Sequence, residues 1–80
     1  MDTGEIIIQR IDELCKERGI TVNGLSYASG VSNSTIMGIF YGRSKNPGVV
    51  TIKKLCDACG ITLAQFFDTE GFNNLEQEIK

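Results

Sequence analysis

The sequence predicts an all-α domain of five short helices, followed after Asp68 by either a docked sixth helix or frayed chain. Three observations carry this. Apolar residues recur at spacings of three and four, as one face of a helix requires, and no window sustains the period-two alternation of a half-buried strand. The apolar runs stop at glycines, namely Gly19, Gly30, Gly42 and Gly60. Thr21, Ser32 and Thr62 each stand just ahead of a run, where a side-chain oxygen can accept from an otherwise unpaired backbone N–H.

The first helix is expected from about Glu5 to Arg18. Ile7, Ile8, Ile11, Leu14 and Cys15 form its inner stripe, and Lys16 and Arg18 occupy the last turn, as the helix dipole prefers. Thr21 offers an N-cap to a short second helix, Val22 to Ser29, with Leu25 and Ala28 facing inward and Gly30 ending it. Gly24 inside that helix costs about 1 kcal/mol relative to Ala. Ser32 caps a third helix running from Asn33 to about Tyr41. Arg43-Ser44-Lys45-Asn46-Pro47 reads as a loop. Val49, Ile52, Leu55, Cys56 and Cys59 then mark a fourth helix, and Thr62 caps a fifth, Leu63-Ala64-Gln65-Phe66-Phe67. Residues 1–68 are expected to form the domain and 69–80 a polar, acidic tail in which Phe72, Leu75 and Ile79 recur at i, i+3 and i+7.

A chain of 80 residues buries only about 60–65% of its unfolded surface, so compact packing, a metal, disulfides or a partner must supply stability. No apolar run approaches the roughly 20 residues of a membrane span. The start, MDTGEIIIQR, lacks a signal peptide's basic flank and cleavage site, so the expected location is the cytosol. Cys15, Cys56 and Cys59 are an odd set, read as reduced. Cys56 and Cys59 form a C-x-x-C, but the chain has no His and no second C-x-x-C to complete a tetrahedral zinc site. Both fall on the fourth helix's apolar stripe, where a thiol packs as a small hydrophobe, so no metal is expected.

The formal net charge is −2, yet the charges are segregated. No Asp or Glu occurs from Arg18 through Cys56, a window that holds Arg18, Arg43, Lys45, Lys53 and Lys54. Such segregation gives one face a positive field on an acidic molecule, which is what a polyanion meets.

The third helix, within GVSNSTIMGIFYG, has an unusual outer face. At 100° per residue, Ser32, Ile36, Ile39 and Phe40 fall toward the core and Asn33, Ser34, Met37, Gly38 and Tyr41 fall opposite. A face that meets only water tends to collect Lys and Glu. Short amides, hydroxyls and small apolar groups suit base edges: Asn bonds adenine bidentately, Ser donates or accepts, and apolar atoms touch a thymine methyl. Gly38 permits close approach. Placed after a short helix and the turn Gly30-Val31-Ser32, this is the helix-turn-helix arrangement, whose second helix enters the major groove in DNA-binding proteins; two-helix turns of similar length also occur in proteins that never touch DNA. Arg43, Ser44, Lys45 and Asn46 of the next loop suit phosphate oxygens.

These segments, GITVNGLSYASGVSNSTIMGIFYG, the RSKNP loop and VVTIKKLCDACGITLAQFF, together resemble the helix-turn-helix domains of phage repressors such as Cro and the lambda repressor, over Ile7 to Phe67. The resemblance implies a five-helix bundle that binds operator DNA as a transcriptional regulator, commonly as a dimer on a pseudo-palindrome. It places Asn33, Ser34 and Gly38 toward bases with Met37 adjoining. Ser32, Thr35 and Tyr41 fall at or near backbone contacts, with Thr21 and Val22 at the second helix's N-terminus and Arg43 to Asn46 on phosphates.

Three departures stand out. Where the family often has a Gln that braces phosphate and a neighbouring base contact, this chain has Val22, whose backbone N–H remains suited to phosphate. The frequent Leu-Ala pair of that helix is Leu25-Ser26. An Arg–Glu ion pair between the first helix and the end of the recognition helix is replaced by Cys15 and Phe40. Replacing both charges together avoids the ~3–5 kcal/mol penalty of stranding one, so Cys15 and Phe40 are expected to be buried near each other.

The expected function is therefore a sequence-specific transcriptional regulator of repressor type, acting on double-stranded DNA as a homodimer, with no membrane or small-molecule partner. No His is present, no Ser or Cys has an evident activating base, and no Gly-rich phosphate loop follows a strand, so neither catalysis nor a cofactor is expected. A protein-binding module on the same fold, antitoxin-like or an accessory regulator, is the alternative; the net acidity and Val22 favour it, and the acid-free window favours DNA. A zinc or thiol-redox protein is the third reading. The stripe Phe72, Leu75 and Ile79 is assigned to a homodimer interface, against the rival that the tail packs on its own subunit.

Overall fold

The computed structural model describes residues 1–44 and 46–79. Their backbone is all-helical, in the order α1 (Thr3–Arg18), α2 (Val22–Ser29), α3 (Asn33–Phe40), α4 (Val49–Cys59), α5 (Leu63–Phe67) and α6 (Glu70–Asn73). Helix α1 begins two residues ahead of the expected start because Asp2 caps it. Asp2 Oδ1 accepts from the Glu5 N–H at 2.8 Å, and Glu5 Oε1 accepts from the Asp2 N–H at 3.4 Å, a reciprocal capping box. Thr62 and Gln65 build the same device at the start of α5. Thr21 and Ser32 cap α2 and α3 as expected, through the N–H groups of Gly24 and Thr35.

One core joins the helices: Ile7, Ile11, Leu14 and Cys15 of α1, Leu25 of α2, Val31 of the turn, Ile36 and Ile39 of α3, Ile52, Leu55, Cys56 and Cys59 of α4, and Phe66 of α5. Helix α2 lies against α3 and α4, so the helix-turn-helix unit is held from behind by α4. All three cysteines are reduced and buried, and burial pushes each thiol's pKa upward. Among the described residues no group of three or more His, Cys, Asp or Glu could hold a metal ion. Among the same residues no helix is long and apolar enough to cross a membrane.

Several expectations fail on packing. Ala28 is exposed, because Leu25 alone takes the inward direction of the short helix α2. Val49 is 61% exposed at the first turn of α4, where the core begins only at Ile52. The tail's stripe does not form: α6 is four residues long, so Leu75 and Ile79 lie beyond it and Ile79 is 88% exposed. Phe72 turns inward instead, its ring 4.9 Å from that of Phe67 and 5.9 Å from that of Phe66. The tail thus packs on its own subunit at Phe72.

One anchoring residue escaped the sequence reading. Arg10 of α1 donates from Nε to the Phe66 carbonyl at 2.8 Å and from Nη2 to the Gln65 carbonyl at 3.1 Å, with its guanidinium 5.8 Å from the centre of the Phe66 ring. It meets the carbonyls that a helix C-terminus leaves without partners and so ties α5 to α1.

Candidate nucleic-acid interface

The turn between α2 and α3 is fixed by local hydrogen bonds. Gly30 takes φ +75°, a left-handed conformation that a side chain resists. Ser26 Oγ then donates to the Val31 carbonyl at 2.6 Å, and the Val31 N–H donates to Ser29 Oγ at 3.1 Å. The departure from Leu-Ala to Leu25-Ser26 has a structural use here, since an alanine would lack the hydroxyl that reaches the Val31 carbonyl. Val31 is buried and plugs the turn onto the core.

Beyond the turn, α3 presents Asn33, Ser34 and Thr35 to solvent, with Met37 half-buried beside them. Ser32 is exposed too, contrary to its expected core-side position, because its hydroxyl must stay at the helix end to cap it. The Ser32 and Thr35 hydroxyls share a hydrogen bond of 2.8 Å. Asn33 Nδ2 donates to Asn23 Oδ1, which spans the angle between the two helices. The side-chain contact between the two helices is thus made by the second residue of α2, whereas Val22, the first, is half-buried and has no polar side chain. The exposed Asn23 is the residue that sequence reasoning missed; an amide one position late was the available signal.

Gly38 combines two features. The residue is buried, yet a Cβ built on it would meet nothing within 4 Å, so the direction its side chain would take is open. Its carbonyl accepts from the N–H groups of Arg43 at 2.9 Å and Ser44 at 3.0 Å, hanging the start of the loop on α3. Tyr41 is 67% exposed, and the Arg43 guanidinium sits 5.5 Å from the centre of its ring. Ser44 is half-buried and Asn46 exposed, while Lys45 lies outside the described residues.

At the other flank, Thr21 is exposed and the first-turn N–H groups of Val22 and Asn23 have no acceptor within an α-helix. Cys15 and Phe40 border one shallow apolar hollow together with Ile20 and Val22. Phe40 is only half-buried, because it lies at the last residue of α3 where the core gives way to that hollow.

The ion pairs among the described residues are Arg10–Glu13, Lys16–Asp12 and Lys53–Asp57. Arg18, Arg43 and Lys54 take part in none of these, which leaves their charge to the surrounding field.

Comparison with known proteins agrees with this fold. A family model described as the Cro/C1-type HTH DNA-binding domain matches residues 10–71. A solved structure, described as the crystal structure of the prophage Lp1 protein 11, superposes with a TM-score of 0.81 at 36% sequence identity, covering 94% of this chain and 100% of that one. No curated protein matches the chain significantly.

Proposed function

The chain belongs to the Cro/C1-type helix-turn-helix DNA-binding domain family, and from that premise we propose that it is a sequence-specific transcriptional regulator of repressor type that reads the major groove with α3. The observation that carries this reading is the uncharged, hydrogen-bonding outer face of α3, with Asn33 held by Asn23 and an open notch at Gly38. Asn33, Ser34, Met37 and Gly38 are assigned to base edges. Thr21, Val22, Ser32, Thr35, Tyr41, Arg43, Ser44, Lys45 and Asn46 are assigned to the phosphates on either side.

One helix of this length reads only a few base pairs, each adding ~1–3 kcal/mol of discrimination, too little to single out a site in a genome. The working form is therefore assigned as a homodimer with recognition helices about 34 Å apart on a two-fold operator. Phe72 is occupied within its own subunit and is not assigned to that interface.

A salt titration of binding to random duplex, followed by selection of bound sites from random oligonucleotides, tests the proposal. A log–log slope near −0.9 per phosphate contacted and a recovered two-fold sequence are the expected results. A protein-binding module on the same fold would show neither.

A further inference from the structure

The acidic segment after α6 does not trail away from the molecule. Phe72 anchors its start in the aromatic cluster with Phe66 and Phe67. Gly71 lies so close to α1 that a Cβ there would come within 3.2 Å of Ile6 Cδ1. Leu75 is half-buried. Further on, Thr3 Oγ1 donates to Glu78 Oε1 at 2.6 Å, pinning the segment to the first turn of α1. Glu78 there borders the same hollow as Asn46, together with Thr3, Gly4 and Ile7. A second hollow beside it is lined by Asp2, Glu5 and Gly42, the residue just before Arg43. Carboxylates on the segment and on α1 therefore border both ends of the loop that leads out of the recognition helix.

We propose that segment 75–79 is a built-in electrostatic brake on DNA binding, in which Thr3 tethers the Glu78 carboxylate beside the phosphate-contacting loop. The inference rests on the assignment of that loop to phosphate. A carboxylate fixed beside a cationic loop lowers the local positive potential, and an incoming phosphate must either tolerate it or displace it. At separations of roughly 4–8 Å, well inside the Debye length of about 30 Å at 0.01 M salt, a single fixed charge shifts phosphate affinity by about two- to fourfold, and the effect fades as salt rises. The tether matters as much as the charge, because an untethered side chain moves away from an arriving anion.

Full-length Glu78→Gln and Thr3→Val variants, titrated with random duplex DNA over a range of salt, test this. Glu78→Gln is expected to bind about two- to fourfold more tightly than wild type at low salt, converging with it at high salt. Thr3→Val keeps the carboxylate and removes only its tether, so it too should bind more tightly. If Glu78→Gln tightens binding and Thr3→Val does not, the effect is general charge and the brake is refuted. If both match wild type while Arg43→Ala weakens binding, the brake falls and the DNA reading stands. If wild type shows no salt-dependent binding at all, the DNA reading itself fails, and this inference with it.

Discussion

Asn23 Oδ1 accepts a hydrogen bond from Asn33 Nδ2, joining the first turn of α2 to the first residue of α3. The bond uses one N–H of Asn33 and leaves its Oδ1 and its other N–H for a ligand. Those two groups match the N6 amino group and N7 of adenine in the major groove. Asn33→Ala should lose about 1–3 kcal/mol of discrimination at one base pair. Asn23→Ala should keep the salt slope and broaden preference at that same pair. Binding-site selection with both variants checks this, and unchanged preference in Asn23→Ala would show the brace to be idle.

Arg43 tests the electrostatic side of the interface. Its backbone is fixed by the Gly38 carbonyl and its guanidinium lies over Tyr41, in no ion pair among the described residues. Arg43→Ala should weaken specific and random duplex alike and reduce the magnitude of the salt slope by about one. A change in sequence preference at constant slope would move Arg43 from phosphate to base.

Helix boundaries were legible because punctuation is local: Gly30 and Ser32 bracket a turn whatever surrounds it, and α2 runs from Val22 to Ser29 as its caps dictate. Faces were less legible. Periodicity says that Val49 lies on the same side of α4 as Ile52, but it does not say how far the core reaches along that face, and Val49 is exposed. Contacts between distant elements were not legible at all. Arg10 reaches a carbonyl 56 residues away, and nothing in the spacing of either segment encodes that meeting. The Asn23–Asn33 bond was hidden for a smaller reason: it depends on the crossing of two helices, and a one-residue shift from the familiar position removes the motif without removing the geometry.

Core truncations should separate Phe66 from Phe40. Phe66 is fully buried, touches Phe67 and Phe72, and carries the Arg10 guanidinium over its ring. Phe66→Ala should cost about 3–5 kcal/mol. Phe40→Ala, at a half-buried site beside an open hollow, should cost less than that. Urea unfolding of both variants checks the order, and equal losses would place Phe40 in the core proper.

The thiols give a pH dependence with a defined sign. Cys15, Cys56 and Cys59 titrate above their ordinary value of 9.0, chiefly because burial disfavours the thiolate. Above the unfolded value the unfolded chain loses its thiol protons first, so the folded state then holds more of them. Their contribution is complete below about pH 9 and is lost as pH rises through the folded thiols' range. The melting temperature should therefore fall on passing from neutral to alkaline pH, and fall less steeply in Cys56→Ala. A slope identical to wild type would assign the alkaline loss to other groups.

Gly38→Ala separates what the fold needs from what a ligand needs. A glycine inside a helix costs about 0.5–1 kcal/mol relative to Ala. Here no intramolecular reason offsets that cost: φ is not positive, and an added Cβ would meet nothing within 4 Å. Ala should thus stabilise the free protein by about the same amount, a rise in melting temperature of a few degrees for a domain of this size. On the DNA reading the notch is where the groove comes closest to the backbone of α3, on the face that carries Ser34 and Met37. A methyl there would hold the helix away from the bases and lengthen every contact on either side. Operator affinity should fall about tenfold, or 1.4 kcal/mol, while the fold gains stability. Thermal melts and operator titrations on one preparation measure both. A more stable variant with undiminished operator affinity would leave the notch at Gly38 without a ligand to explain it.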